Sequence, residues 1–130
     1  MVRFLVLSLS LMLTAQAAPA FGQVTSITVK ETFSNGNIVS AVCSVGKNDQ
    51  VSGTGIYSGT NPRNGYKWKY PFTINKFSSA SGKIILTGTL DGVGYPVTLT
   101  ASVPNGPASF AYAVKGVTYS YSGTGTVTLK

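Results

Sequence analysis

From residue 24 to the end of the chain, apolar and polar side chains alternate in short runs broken by turn residues. Alternation with period two marks a half-buried antiparallel strand, because successive side chains leave opposite faces of the ribbon. The plainest unit is a hairpin over 83–103. Ile84, Leu86, Gly88 and Leu90 share one face of its first strand, and Val93, Tyr95, Val97, Leu99 and Ala101 share one face of the second. Thr87, Thr89, Thr98, Thr100 and Ser102 take the other side, which reads as a threonine-rich surface in water. Asp91-Gly92 predicts a two-residue type I′ turn, whose central positions both need positive φ. That turn would set Leu90 opposite Val93, Leu86 opposite Val97 and Ile84 opposite Leu99, with Tyr95 covering Gly88. A four-residue loop over 91–94 would shift the register and keep the faces.

The same reading extends in both directions. Residues 24–33 and 38–45 pair around Ser34-Asn35-Gly36-Asn37, and Asn-Gly is a hairpin signal. A bulge at Gly36 would align Ile27, Val29 and Phe33 with Val45, Cys43 and Val39. Cys43 then points inward as a small apolar group of low reactivity. An intermolecular disulfide is the alternative for an unpaired cysteine in a secreted chain. Residues 51–57 form a weaker strand in which Gly53 and Gly55 mark a bend or a close backbone approach. The turn-rich segment 58–65 (SGTNPRNG) is the expected mobile loop.

Residues 66–74 (YKWKYPFTI) alternate strictly, with Tyr66, Trp68, Tyr70, Phe72 and Ile74 on one face and Lys67, Lys69, Pro71 and Thr73 on the other. Pro71 cannot donate to a ladder, which predicts a strand at a sheet edge. Further on, a two-residue turn at Lys115-Gly116 would pair Val114 with Val117, Tyr112 with Tyr119 and Phe110 with Tyr121. Ser122-Gly123 predicts one more turn before a last strand over 124–129, where Gly125, Val127 and Leu129 face inward. Eight or nine short strands in about 110 residues predict a single all-β domain. A small antiparallel β-sandwich of about 8 strands is the leading architecture and a small β-barrel the alternative. Alternation alone does not say whether the buried face packs on a second sheet or curls around itself.

The N-terminus changes the picture of where this domain works. Arg3, the apolar run 4–13 and Ala15-Gln16-Ala17 have the form of a secretory signal peptide over 1–17, leaving 18–130 as the domain. The run is too short to span a bilayer, so the expectation is a secreted or periplasmic protein with no transmembrane segment. Removing Arg3 leaves a net charge of +6, set by nine lysines and arginines against Glu31, Asp49 and Asp91. A basic excess favours anionic polysaccharide, an envelope surface or nucleic acid as partner, and it also keeps a protein soluble.

Candidate chemistry is sparse. The chain has no histidine, so the commonest general base and metal ligand is missing. Of the three carboxylates, Asp91 belongs to a turn, Asp49 to a polar loop, and Glu31 to a strand beside Lys30, which leaves no pair poised for glycoside hydrolysis. Cys43 has no histidine partner, and no nucleophile-elbow, phosphate-loop or zinc-spaced motif occurs. No catalytic, cofactor or metal residue is therefore assigned, and an enzyme using serine or lysine is the weakest reading. The suggestive stretch is Arg63, Tyr66, Lys67, Trp68, Lys69, Tyr70 and Lys76, which interleaves cations and rings as surfaces that stack sugars or bases do. Strand geometry argues against one shared surface, since it sends the rings to the core and the ammoniums to water.

Thr87 to Ala101 (TGTLDGVGYPVTLTA) resembles the hairpin of the YceI-like polyisoprenoid-binding proteins, in which a T-G-x-L strand, a G-V near the turn and a P-V-x-L return strand recur. The resemblance implies a lipocalin-like barrel carrying an apolar ligand, lined by Tyr95, Val97 and Leu99. The leading functional expectation is a secreted, non-enzymatic binding or assembly protein of the cell envelope, with an anionic polymer as partner. The apolar-ligand carrier is its rival.

Overall fold

The computed structural model describes residues 24–47 and 50–130. The proposed signal peptide and Asp49 lie outside the described residues. Eight strands follow one another in the order β1 Ser26–Phe33, β2 Ile38–Val45, β3 Val51–Thr60, β4 Lys67–Ala80, β5 Lys83–Leu90, β6 Pro96–Ser102, β7 Asn105–Val114 and β8 Val117–Leu129. Each pairs antiparallel with the next, and β8 pairs back onto β1, so the sheet closes into a barrel. The all-β expectation holds, and of its two architectures the chain takes the barrel. Closure leaves no edge strand. Every ladder is satisfied by a neighbour, which is how up-and-down barrels avoid open pairing.

The inward faces of the strands are those the alternation predicts, except that Val93, expected to face Leu90 in the core, stands 58% exposed in the connection between β5 and β6 because the turn there is longer. Ile27, Val29, Val39, Cys43, Phe72, Ile74, Ile84, Leu86, Val97, Leu99, Ala101 and Phe110 are all buried in one core. Cys43 is a free buried thiol, and burial pushes its pKa up to about 11. Gly53 does lie in close approach, since a Cβ there would stand 2.9 Å from Cys43 Sγ. The outer wall carries Thr28, Thr32, Thr98, Thr124 and Thr126 among lysines, with a small apolar patch of Ile38, Val42 and Ile56 on β2 and β3. This is the reverse of the outward apolar band of a membrane-spanning barrel.

Registers differ from the predictions where turns decide them. The β5–β6 connection is the four-residue loop 91–94, closed by the Leu90 N–H donating to the Tyr95 carbonyl at 2.8 Å and the Gly94 N–H donating to the Leu90 carbonyl at 2.9 Å. Leu86 therefore faces Leu99 and Ile84 faces Ala101, while Gly88 faces Val97 rather than Tyr95. Positive φ falls on Gly92 (83°) and Gly94 (73°) and not on Asp91, so the turn is not type I′. In the first hairpin the whole segment Ser34 to Asn37 serves as loop, and Ile27 faces Cys43 with Val29 facing Ala41, two residues away from the bulged register. Lys115 and Gly116 both have positive φ, at 50° and 83°, and this hairpin adopts the expected pairing of Val114 with Val117, Tyr112 with Tyr119 and Phe110 with Tyr121.

Two further expectations are corrected by the closed sheet. Pro71 is not on an edge, because β4 is paired on both sides. Its carbonyl accepts from the Asp91 N–H at 2.9 Å, so its backbone polar groups face the β5 side just where β5 has ended at Leu90, and no ladder bond is lost there. Ser122-Gly123 is not a turn. β8 runs straight through, with Gly123 between Phe33 and Ala108, and a Cβ at Gly123 would run into the Thr32 carbonyl oxygen. Glycine here lets two strongly coiled strands cross closely, as corners of small barrels require.

Candidate functional site at the barrel mouth

Up-and-down order sends alternate loops to the same end. The β1–β2, β3–β4, β5–β6 and β7–β8 loops lie at one end, and the chain termini of the barrel lie at the other, where Thr25 and Ser26 donate to the Lys130 carbonyl. Aliphatic side chains such as Ile27, Ile84 and Leu99 fill the section away from the loop end, together with Phe77, while most of the inward aromatic residues gather near the loop end. Phe33, Tyr57, Trp68, Tyr70, Phe110, Tyr112, Tyr119 and Tyr121 all point inward there, each from a position close to one of the four loops.

Tyr57 is the hub of this layer. Its ring lies 5.0 Å from Phe110, 5.1 Å from Trp68 in an edge-on contact, 5.3 Å from Tyr121 and 6.2 Å from Phe33. Such separations suit offset and edge-to-face pairs. The Asn37 side-chain amide donates to the Tyr57 hydroxyl at 2.8 Å. Burial is the main cause that pushes the Tyr57 pKa up to about 12, with the Tyr121 hydroxyl adding to it and the Asn37 bond opposing it. Burial also raises Tyr112, again with Tyr121 beside it. Both phenols therefore stay neutral donors across the ordinary pH range.

Two rings of this layer reach solvent. Tyr70 and Tyr119 point inward by strand parity yet remain 49% and 44% exposed. Tyr70 stacks on Tyr57 at 6.4 Å, and Tyr119 stacks on Tyr112 at 5.3 Å. Below them Phe72 and Phe110 pack at 5.3 Å, both without solvent exposure, and plug the axis. Ring faces, phenolic hydroxyls and an amide are thus grouped above an apolar floor, an aromatic bowl by its lining that holds no separate cavity.

Against this bowl the sequence-predicted residues divide. Trp68 and Tyr70 belong to its wall, Trp68 being partly buried against the core. Tyr66 stands in the β3–β4 loop, 65% exposed. Lys67 and Lys69 leave the outer face of β4 close to the mouth, and Arg63 is exposed in the adjoining loop. That loop is shorter than the predicted 58–65, because β3 runs on to Thr60. It is tied by the Arg63 N–H donating to Asn61 Oδ1 and the Tyr66 N–H donating to Asn64 Oδ1, each at 2.9 Å. Lys76 does not join them. It lies beyond a bulge in β4 after Ile74, roughly 30 Å along the strand from Lys67 at about 3.3 Å per residue. Lys115, at the β7–β8 turn, is the cation of the mouth end that the sequence reading left out of the candidate patch.

Tyr57, Tyr112, Tyr119, Tyr121 and Asn37 were also outside that candidate patch. Their signal was available, since each lies on the inward parity or in a loop of the same barrel end, but it needs the up-and-down order to be seen. Tyr95, Val97 and Leu99, which the hairpin resemblance would make ligand-lining, pack into the filled core instead, with Val97 and Leu99 fully enclosed. Among the described residues no three His, Cys, Asp or Glu side chains come together as a metal cluster would need. Comparisons with protein-family models, with curated proteins and with solved structures find no match for this chain.

Proposed function

We propose that the chain is a secreted, non-enzymatic binding protein that takes an acidic saccharide at the aromatic mouth of the barrel. The observation that carries this reading is the pair Tyr70 and Tyr119, inward-pointing rings left half exposed at the loop end of an otherwise filled barrel. Sugar rings offer C–H faces to aromatic side chains and hydroxyls to phenols and amides, and the bowl holds both kinds of partner. Arg63, Lys67, Lys69 and Lys115 at the same end supply positive charge that would draw an anionic chain toward it. An apolar ligand carried along the barrel axis has less support, because Phe72, Phe110, Leu86 and Leu99 fill that axis.

Trp68 is the single tryptophan of the chain and stands in the bowl wall, so its fluorescence reports directly on occupancy. Titration with an oligouronate should shift it at low salt, more weakly as salt rises, and a neutral oligosaccharide of the same length should bind less tightly. Tyr70→Ala and Tyr119→Ala should each weaken binding, by roughly 1 to 3 kcal/mol, with little change in the unfolding midpoint. A response to a long-chain fatty acid and to no saccharide would favour the apolar carrier. No response to any of them would remove the mouth as a site.

A further inference from the structure

The barrel buries one charged residue type among the described residues, and it does so at the seam where the sheet closes. Glu31 is 1% exposed, and neither carboxylate oxygen has a hydrogen-bond partner. It stands on β1 between Val29 and Phe33, with Val39 of β2 on one side and Gly125 of β8 on the other. A Cβ at Gly125 would lie 3.0 Å from Glu31 Cγ and 3.2 Å from the Ala108 Cβ of β7, so the Glu31 side chain uses space that the bare Gly125 leaves free. Titratable groups on the inward faces of the neighbouring strands are Cys43 on β2, Tyr57 on β3, Tyr112 on β7 and Tyr119 and Tyr121 on β8; no inward cation faces it among the described residues.

Outside the same seam the wall is thin. A shallow groove of about 410 Å³ runs over Lys30, Thr32, Gly106, Thr124 and Gly125. Solvent thus reaches the outer side of the Gly125 backbone while Glu31 lies against its inner side. Lys30, the residue before Glu31, holds its ammonium on the wet side.

We propose that Glu31 is a proton-controlled latch on the seam between β1 and β8. With its proton, the carboxyl lies neutral in the core and the barrel stays closed. Without it, the carboxylate draws water through the thin wall at Gly125, and the two strands part locally, next to the aromatic bowl. An ionised carboxylate with no partner is strongly disfavoured in such surroundings, and burial accordingly raises the Glu31 pKa to about 8. The folded pKa lies above the unfolded one, so the folded state holds a proton that the unfolded state has lost. Stability is full below about 4.5, falls as pH rises from there to about 8, and is level beyond.

The test follows urea unfolding and amide exchange on the folded chain at pH 5, 7 and 9. The unfolding constant should rise about tenfold per pH unit from pH 5 to about 8 and level off by pH 9. Protection factors should fall first at Lys30, Thr32, Thr124 and Thr126, and less at Leu86 and Leu99 on the far wall. Glu31→Gln should flatten both profiles, and Glu31→Met should do so again if the amide disturbs packing. Profiles that keep their slope in both variants would overturn the latch. So would a loss of protection spread evenly over all strands, which is global destabilisation without a seam.

Discussion

Gly125 stands directly across the β1–β8 seam from Glu31, and the bare glycine backbone is what gives the buried carboxyl its place. The same glycine lies under the outer groove, so one residue sets both the room inside and the thinness of the wall.

Gly125→Ala should therefore destabilise the barrel. The new Cβ would meet the Lys30 carbonyl oxygen at 2.8 Å and Glu31 Cγ at 3.0 Å, and the first of these is backbone that cannot turn aside. Overpacking of this kind costs roughly 1 to 3 kcal/mol. Urea unfolding of Gly125→Ala, Glu31→Ala and the double variant should show non-additive losses, since removing Glu31 relieves one of the close contacts of the new Cβ. Strict additivity would mean that the two residues do not share the space.

The tyrosines of the bowl give a spectroscopic prediction. Tyr57 is raised to about 12 and Tyr112 is raised as well, both chiefly by burial. The neutral phenol is the form the fold prefers, so stability falls as pH rises through the unfolded value of about 10 toward the folded one. Ultraviolet titration of native protein should leave a fraction of tyrosine absorbance unionised above pH 11. In urea that late fraction should vanish.

The β5–β6 loop separates two turn chemistries. With positive φ at Gly92 and Gly94, Gly92→Val and Gly94→Val should each cost about 1 kcal/mol or more, although neither site has an atom within 4 Å of a new Cβ. A type I′ turn at Asp91-Gly92 would make Gly94 tolerant. Thermal unfolding of the two variants distinguishes these outcomes, and equal losses are expected.

The hairpin over 83–103 shows how far one strand's pattern carries. Period two placed Ile84, Leu86, Val97 and Leu99 on one face, and all four are in the core. It could not choose between two and four loop residues, because both choices keep the faces and differ in pairing register and in φ at Asp91 and Gly94, which alternation does not report. Lys115-Gly116 was legible because a two-residue loop leaves one register that keeps its aromatic pairs together. Glu31 was legible in part. It shares parity with Ile27, Val29 and Phe33 on β1, so alternation puts a carboxylate on the buried face, where Glu is rarely found.

What the sequence by itself determined is the faces: which side chains point in, which threonines and lysines point out, and hence the separation of Trp68 and Tyr70 from Lys67 and Lys69. Only the tertiary structure decided that β8 returns to β1, that Pro71 sits where its neighbour ends, and that aromatics from β3, β4, β7 and β8 meet in one bowl. The physical reason is range. Alternation is a property of a single ribbon, set by backbone geometry within a few residues. Closure depends on twist and coil accumulated over eight strands, with close crossings at glycines such as Gly88 and Gly123, and no stretch of a few residues contains it.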